Sequence, residues 1–213
     1  MIISNAVPLN PAGSRLLLRL RNSYSLTMTE LAASEPELSP ATLFRLLVDL
    51  QAAGHVARVR RGVYQCAERY ADSDTWTHAL QAYPNGVLCL LSALAFHGIG
   101  TQSPPDVWLA LPKSAWRRSL VYPPIRIVHF SGPAWSAGVE THERPSGMLR
   151  VYSPAKTVAD CFKFRNRIGL DVAVEALKEG WQERRFTLDE LDTMAGYCRV
   201  QAVIRPYVEA MTV

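Results

Sequence analysis

At 213 residues, with 48% hydrophobic and 20% charged side chains, the chain has the composition of an ordinary globular protein and is long enough for two domains. No segment has the run of about 20 apolar residues that a membrane-spanning helix requires, and no signal peptide precedes the first element, so we expect a cytoplasmic protein that does not enter a membrane. The net charge of +4 is compatible with nucleic acid binding but does not require it.

The first predicted elements in chain order are two helices. Residues 13–23 place leucines at helical spacing with arginines between them, which predicts an amphipathic helix. Thr27 and Glu30 have the spacing of a capping box, in which each residue binds the other's backbone N–H. This pattern predicts a short second helix that ends near Ser34.

A third helix and a hairpin follow. Ser39 and Pro40 are typical of a helix start, and Gly54 is typical of a helix end. Residues 55–59 and 63–66 alternate apolar and polar side chains, which predicts two short strands joined by an Arg-Arg-Gly tip. Helices followed by a basic hairpin are the layout of a winged helix-turn-helix, so residues 1–70 are predicted to form a DNA-binding domain of this type.

The residues predicted to contact DNA lie on the third helix and the hairpin. One face of the helix is apolar and would be buried, since it carries Leu43, Leu46, Leu47 and Leu50. The opposite face would enter the major groove, and the hairpin tip would contact phosphates. The predicted DNA-binding residues are therefore Ser39, Thr42, Arg45, Arg58, Arg60 and Arg61. The alternative is a solvated hairpin tip on a winged helix that contacts protein.

The polar residues 70–75 predict a short hinge, after which residues 76–213 form a second domain of mixed α+β class. Its first predicted helix ends at Tyr83, and its second covers the almost wholly apolar residues 86–97. Strands are predicted over residues 106–111, 125–130, 139–144 and 148–152. Further helices are predicted over residues 153–165 and 170–181, from Thr187 toward Tyr197, and near 203–211.

Two stretches of the second domain form a possible second basic patch. The first is the loop that carries Lys113, Arg117 and Arg118 beside Trp116, and the second carries Lys163, Arg165 and Arg167. An exposed basic loop with a tryptophan is suited to phosphate or partner binding, although a solvated loop has the same composition. The second stretch is either a solvated basic edge or an extension of a surface that faces DNA or a protein.

The candidates for catalysis are weak. Lys156 and Asp160 are four residues apart on one helix face, which suits an ion pair at least as well as an active site. Asp106 and Lys113 flank a predicted strand, but no second acidic residue stands beside them to share a divalent metal ion. His97 ends a helix, where the helix dipole stabilises a cationic side chain. We therefore expect no catalytic residues and no enzyme.

The cysteines give no reason to expect a metal or a cofactor. The four of them stand far apart among apolar residues, at Cys66, Cys89, Cys161 and Cys198. They form neither a C-x-x-C pair nor a Cys/His pair at the spacing of zinc ligands. Buried free thiols are the expected state.

Three segments of the second domain carry a resemblance to a known family. They are residues 90–98 (LLSALAFHG), residues 107–112 (VWLALP) and residues 152–171 (YSPAKTVADCFKFRNRIGLD), the last followed by VEAL at 174–177. These segments resemble the AbiEi antitoxin family, and the resemblance extends from the predicted winged helix to the terminal helices. It adds no functional residues in the 152–171 segment.

The resemblance implies an antitoxin and transcriptional repressor from a bacterial type IV toxin–antitoxin operon, a class linked to phage resistance. Its implied partners are double-stranded DNA, as inverted repeats in its own promoter, and a nucleotidyltransferase-like toxin. The C-terminal domain is implicated in opposing that toxin, and a stable complex is not required. The alternative is a protein-interaction module that neutralises a toxin directly, with the winged helix serving an architectural role.

Overall fold

Helices and strands are mixed along the whole chain, which confirms the predicted α+β class. The computed structural model describes residues 10–23, 25–68, 74–115, 123–144 and 147–212. Residue contacts divide the chain into two units. The N-terminal unit comprises Met1–Ala82 and Arg144–Gly147, and the C-terminal unit comprises Tyr83–Glu143 and Met148–Val213.

The N-terminal unit consists of helices around a small sheet. Its elements are α1 (Pro11–Arg21), β1 (Leu26–Thr27), α2 (Met28–Ser34), α3 (Pro40–Ala52), β2 (Val56–Arg60), β3 (Val63–Cys66) and α4 (Thr75–Ala82). The three strands are antiparallel in the order β1-β3-β2, so β3 lies between the other two. The two-residue strand β1 was not predicted from the sequence.

Side-chain caps begin each of the first three helices. The Thr27 hydroxyl accepts a hydrogen bond from the Glu30 N–H, while the Glu30 carboxylate accepts one from the Thr27 N–H, so the predicted capping box is confirmed. Ser39 caps α3 as predicted. Helix α1 begins two residues before its predicted start, because Asn10 accepts a hydrogen bond from the Gly13 N–H at 2.6 Å.

Leucines from three helices form the core of this unit. An ion-pair cluster connects α1 to the end of α2. The core residues include Leu16, Leu17, Leu20, Leu31, Leu43, Leu47, Leu50, Val56 and Tyr64. Beside this core, the buried Glu35 carboxylate accepts hydrogen bonds from the Arg15 guanidinium, and Arg19 lies 3.5 Å from its second oxygen. The hydrogen bond from Arg15 lowers the pKa of Glu35, so the carboxylate stays charged.

The hairpin of the N-terminal unit has the predicted tip. Strands β2 and β3 are joined by Arg61 and Gly62, and Gly62 has a φ of +73°. Such a backbone conformation favours glycine, because a Cβ would be strained there. The tip therefore turns tightly between the two strands.

The C-terminal unit combines one larger sheet with a group of helices. Its elements are β4 (Val87–Leu88), α5 (Leu90–His97), β5 (Val107–Pro112), β6 (Ile125–Phe130), α6 (Pro133–Ser136), β7 (Val139–Arg144), β8 (Gly147–Tyr152), α7 (Pro154–Lys163), α8 (Arg165–Ile168), α9 (Leu170–Gln182), α10 (Leu188–Cys198) and α11 (Gln201–Thr212). The sheet has the order β6-β5-β4-β8-β7. Pairs β4/β8 and β5/β6 are parallel, whereas β4/β5 is antiparallel.

The apolar segment 86–97 was predicted as a single helix, and this prediction is wrong. Residues Val87 and Leu88 form the central strand β4, and the helix α5 begins only at Leu90. A strand in the middle of a sheet that is buried on both faces has no polar alternation, so its sequence looks like that of a buried helix. The backbone changes direction at Leu90, whose φ is +48°.

Helix α7 lies at the centre of the C-terminal unit. It packs against α5, α9, α10 and α11, and every residue from Ala155 to Phe162 is buried. Its N-terminus is approached closely by Gly138, where an added Cβ would lie 2.8 Å from the Lys156 Cβ. The Gly138 carbonyl in turn accepts a hydrogen bond from the Ser153 N–H at 2.7 Å.

The division between the units falls later than the predicted hinge. The sequence indicates a boundary at residues 70–75, of which 70–73 lie outside the described residues. Helix α4 packs against β2 and therefore groups with the N-terminal unit, so the division by contacts follows Ala82. In the part of the chain that the structure describes, no helix is both long enough and apolar enough to traverse a bilayer.

His97 ends α5, but its environment disfavours the charged form that the sequence suggested. Its Nε2 lies 2.7 Å from the carbonyl oxygen of Tyr152. A neutral ring that is protonated at Nε2 can donate a hydrogen bond to this oxygen. Burial lowers the pKa of His97 below its usual 6.5, and this effect outweighs the hydrogen bond to Tyr152. The neutral ring is therefore part of the folded state.

We expect the C-terminal unit to lose stability as the pH falls below about 6.5, because the unfolded chain then takes up a proton that folded His97 resists. The measurement is urea unfolding at pH 7.5 and 5.5, followed by tryptophan fluorescence, since four of the five tryptophans belong to this unit. In His97→Gln, which keeps a donor but does not titrate, the loss should be smaller. Equal losses in both proteins would contradict the assignment.

Candidate nucleic-acid interface

Helix α3 presents one apolar face to the core and a mixed face to the surface. Leu43, Leu47 and Leu50 are buried, as their spacing predicted, and Leu46 is partly buried. The predicted residues Ser39, Thr42 and Arg45 are all exposed. The Ser39 hydroxyl is engaged at the helix start, where it accepts from the Thr42 N–H at 3.2 Å and lies 2.8 Å from the Thr42 hydroxyl.

The predicted hairpin cations are exposed where their side chains are described. Arg58 on β2 and Arg61 in the turn are both exposed. The backbone of Arg60 pairs with Val63 at the end of β2, whereas its side chain lies outside the described part of the structure. Arg58 and Arg60 flank an irregularity in the β2/β3 register.

The arginines of α1, α3 and the hairpin whose side chains are described fall into two groups. Arg15 and Arg19 bind Glu35, and Arg21 lies 3.3 Å from Glu68. By contrast, none of the described residues forms an ion pair or a hydrogen bond with the side chains of Arg45, Arg58 and Arg61. The guanidinium donors of this second group are therefore not used by any described residue.

Two exposed residues of α3 were missed by the sequence analysis. Phe44 is 50% exposed and Val48 is 46% exposed, although both are large and apolar. Their positions are one turn apart, outside the leucine face, so helical periodicity could have identified them. Asp49 is also exposed and limits how much of the C-terminal half of α3 can approach a phosphate backbone.

The possible second basic patch is assembled in part around two aromatic side chains. Arg117 and Arg118 lie outside the described residues. Lys113 is exposed, and its N–H donates to the Phe130 carbonyl at 3.2 Å. The Lys163 Nζ lies 5.6 Å from the Phe130 ring centroid.

Arg167 and Arg126 complete this patch beside Trp108, and Arg126 was not predicted from the sequence. The Arg167 guanidinium carbon lies 5.7 Å from the centroid of Trp108, and that of Arg126 lies 5.4 Å from it. Arg126 also binds Asp106, and it is the register partner of Trp108 across the parallel pair β5/β6. Arg165 differs from the others, because it donates to the Phe162 carbonyl at 2.9 Å.

Lys156 and Asp160 form an ion pair inside the core of the C-terminal unit. The Lys156 Nζ donates to Asp160 Oδ2 at 2.5 Å, and both side chains are 0% exposed. The ammonium also lies 4.0 Å from the Tyr152 ring centroid and 4.7 Å from that of Phe130. The predicted ion pair is confirmed, but it is buried rather than solvated.

A thiol completes the hydrogen bonding of Asp160. The Cys198 Sγ donates to Asp160 Oδ1 at 3.1 Å. Burial, together with the nearby Asp160 carboxylate, raises the pKa of Cys198 to about 12, so the thiol stays protonated as this donor requires. All four cysteines are free and buried, as predicted. The cluster of Lys156, Asp160 and Cys198 is therefore enclosed in the core of the C-terminal unit.

The other catalytic candidates are occupied by structural contacts. Asp106 forms an ion pair with Arg126. The Ser92 hydroxyl is buried and accepts from the Trp108 N–H at 2.9 Å. Among residues 10–23, 25–68, 74–115, 123–144 and 147–212, no three His, Cys, Asp or Glu side chains are grouped closely enough to hold a metal ion.

A groove between α10 and α11 forms a concave surface on the C-terminal unit. Apolar side chains, among them Leu188, Leu191 and Ile204, line it together with Asp189 and Asp192. Gln201 donates to Asp192 at 2.9 Å across the groove. Apolar walls with acidic groups are suited to a protein segment more than to DNA.

Neither a protein-family model nor a curated protein matches the chain. Among solved structures, the fold is similar to the crystal structure of the Rv2827c protein from Mycobacterium tuberculosis. The two share 14% sequence identity at a TM-score of 0.57, over 89% of this chain and 72% of that chain. The similarity concerns the fold alone, and the resemblance to the AbiEi family stays a prediction from the sequence.

We expect Lys156→Met to lower the free energy of unfolding of the C-terminal unit by about 3–5 kcal/mol, because it leaves Asp160 buried without its cation. Replacing both residues, as Lys156→Met with Asp160→Leu, should restore most of this loss. Urea unfolding followed by tryptophan fluorescence measures both.

Arg205→Met is the control for this comparison, since Arg205 and Glu209 form an exposed ion pair with the same spacing. It should leave the unfolding curve unchanged within error. A single Lys156 variant as stable as the Arg205 variant would show that the buried pair contributes nothing.

Proposed function

We propose that the N-terminal unit is a winged helix-turn-helix that binds double-stranded DNA. We also propose that the chain is a non-enzymatic repressor and antitoxin of a bacterial type IV toxin–antitoxin operon. The DNA it binds would be inverted repeats in its own promoter, and the toxin would be nucleotidyltransferase-like. Such a repressor acts in the cytoplasm, where the chromosome is.

The arrangement of elements supports the winged-helix assignment. Helices α2 and α3 are separated by a short turn, and α3 leads directly into the hairpin β2/β3. Strand β1 adds to the other side of β3, and α1 packs against α3 and β3. In DNA-binding proteins of this type, the second helix of the motif enters the major groove.

The observation that carries the proposal is the unpaired state of Arg45, Arg58 and Arg61. These arginines are exposed on α3 and the hairpin, and no described residue neutralises them. Guanidinium groups bind phosphates and the O6 and N7 atoms of guanine with two parallel hydrogen bonds. The arginines of α1 are used in ion pairs, which leaves the cationic surface concentrated on the two elements that a winged helix presents to DNA.

Each element would have a separate role at the operator. The N-terminal half of α3, with Thr42 and Arg45, would contact base edges and set the sequence preference. Arg58, Arg60 and Arg61 would contact phosphates and contribute affinity for any sequence. Two copies on adjacent half-sites would cover the promoter and block transcription.

The antitoxin part of the proposal depends on the resemblance of residues 152–171 and their neighbours to the AbiEi family. The groove between α10 and α11 favours the second candidate, a module that binds the toxin directly. In that case the winged helix would be architectural. The two candidates differ in whether the protein binds DNA and represses its own promoter.

Arg45→Ala should reduce discrimination between promoter and scrambled DNA by about 1–3 kcal/mol, because it removes a base contact. Arg60→Ala with Arg61→Ala should weaken binding to both DNAs and lower the slope of log affinity against log salt by about one per arginine. Gel shifts at several salt concentrations, with the DNA upstream of its own gene, measure both effects. Arg205→Ala, which removes an exposed charge from the other unit, is the control.

The same hairpin variant separates the repressor from the antitoxin. We expect Arg60→Ala with Arg61→Ala to lose promoter repression in a reporter assay while it still protects cells that express the toxin from a separate promoter. Protection would persist because neither residue belongs to the C-terminal unit. Full repression by this variant would contradict the placement of DNA contacts on the hairpin, and absence of repression by the natural protein would favour the architectural role of the winged helix.

A further inference from the structure

The outer face of α3 carries apolar side chains that its own fold leaves half uncovered. Phe44 and Val48 are one turn apart, and the small Ala41 precedes Phe44 by one turn on the same side of the helix. About half of the Phe44 and Val48 side chains is exposed. Exposed large apolar groups that share one surface mark a binding site more often than isolated ones do.

The charges around this apolar strip indicate a polyanion as its partner. Arg45 is the next residue after Phe44 and is exposed, whereas the exposed Asp49 directly follows Val48, so the positive charge of α3 lies beside Phe44. The cationic hairpin follows α3 within a few residues. An apolar protein surface or a second copy of this cationic unit would gain nothing from these charges, whereas a nucleic acid would.

We propose that Phe44 and Val48 read thymine 5-methyl groups in the major groove, which makes them specificity-determining residues. This inference rests on the proposed DNA-binding function. The thymine methyl is the apolar group that the major groove offers, and an apolar side chain discriminates it from the other bases by contact. Arg45, between the two, supplies the hydrogen bonds that apolar side chains lack.

The geometry of the helix constrains the half-site. Residues four positions apart are separated by roughly 6 Å along an α-helix axis, at 1.5 Å per residue. This distance corresponds to about two base-pair steps of 3.4 Å. The half-site therefore contains two thymines about two steps apart, on either strand, opposite Phe44 and Val48.

The test replaces thymidine by deoxyuridine, which removes the methyl group and leaves every base-pairing hydrogen bond. A duplex is first selected from a random pool with the full-length protein. Each thymidine of the selected duplex is then replaced in turn, and affinity is measured by fluorescence anisotropy. Loss of one buried methyl should weaken binding of the natural protein about fourfold at one or two positions in each half-site and leave it unchanged elsewhere.

Variants assign the effect to residues. In Phe44→Ser the deoxyuridine penalty should disappear at one of these positions, so that both duplexes bind equally, and in Val48→Ser it should disappear at the other. Leu18→Ser is the matched control, because Leu18 is a 60% exposed apolar residue of α1 in the same unit. That variant should keep the full fourfold penalty. Circular dichroism shows whether each variant is folded.

The outcomes distinguish this inference from the proposed function. Failure to select any duplex would overturn both. A selected duplex that tolerates deoxyuridine at every position would overturn the inference and leave DNA binding intact, and this arm needs no variant. If Phe44→Ser instead abolishes self-association in sedimentation and keeps the natural deoxyuridine penalty, the strip is an interface between copies and the inference is wrong.

Discussion

The buried ion pair of Lys156 and Asp160 is the constraint on which the C-terminal unit depends. Both groups lie in α7, the helix against which the surrounding helices pack, and neither has access to solvent. A charge in such a place is tolerated only with its partner and with its remaining hydrogen bonds satisfied. The thiol of Cys198 and the faces of Tyr152 and Phe130 meet that requirement. Through these contacts the pair connects α7 to α10 and to the sheet.

The N-terminal unit uses its charges in the opposite way. There one buried carboxylate, Glu35, binds Arg15 and Arg19 and fixes α1 against the end of α2. The cations of α3 and of the hairpin have no such partner among the described residues. Charges that are satisfied internally contribute to folding, whereas charges left at the surface contribute to long-range attraction of an anion. This difference between the two units is the physical basis of the proposal that the N-terminal unit binds DNA.

Sequence patterns predicted those features that depend on a few consecutive residues. The capping box at Thr27, the helix starts at Ser39 and Thr187, and strands β6 and β7 with both bounds agree with the structure. Each of these is decided by hydrogen bonds or side-chain alternation within one or two turns of chain. Segment 86–97 failed for the converse reason, because burial on both faces removes the alternation that distinguishes a strand from a helix.

The sequence by itself determined the α+β class, the leucine face of α3 and the exposed position of Arg45 on that helix, because helical periodicity separates buried from exposed positions locally. Only the tertiary structure decided which charged side chains form ion pairs within the fold. It brought Arg126 and Arg167 to the same tryptophan from a strand and a helix, and it joined Cys198 to Asp160 across 38 residues of chain. It also left Phe44 and Val48 uncovered. Such pairings arise from packing between distant segments, and no local hydrogen-bond pattern records them.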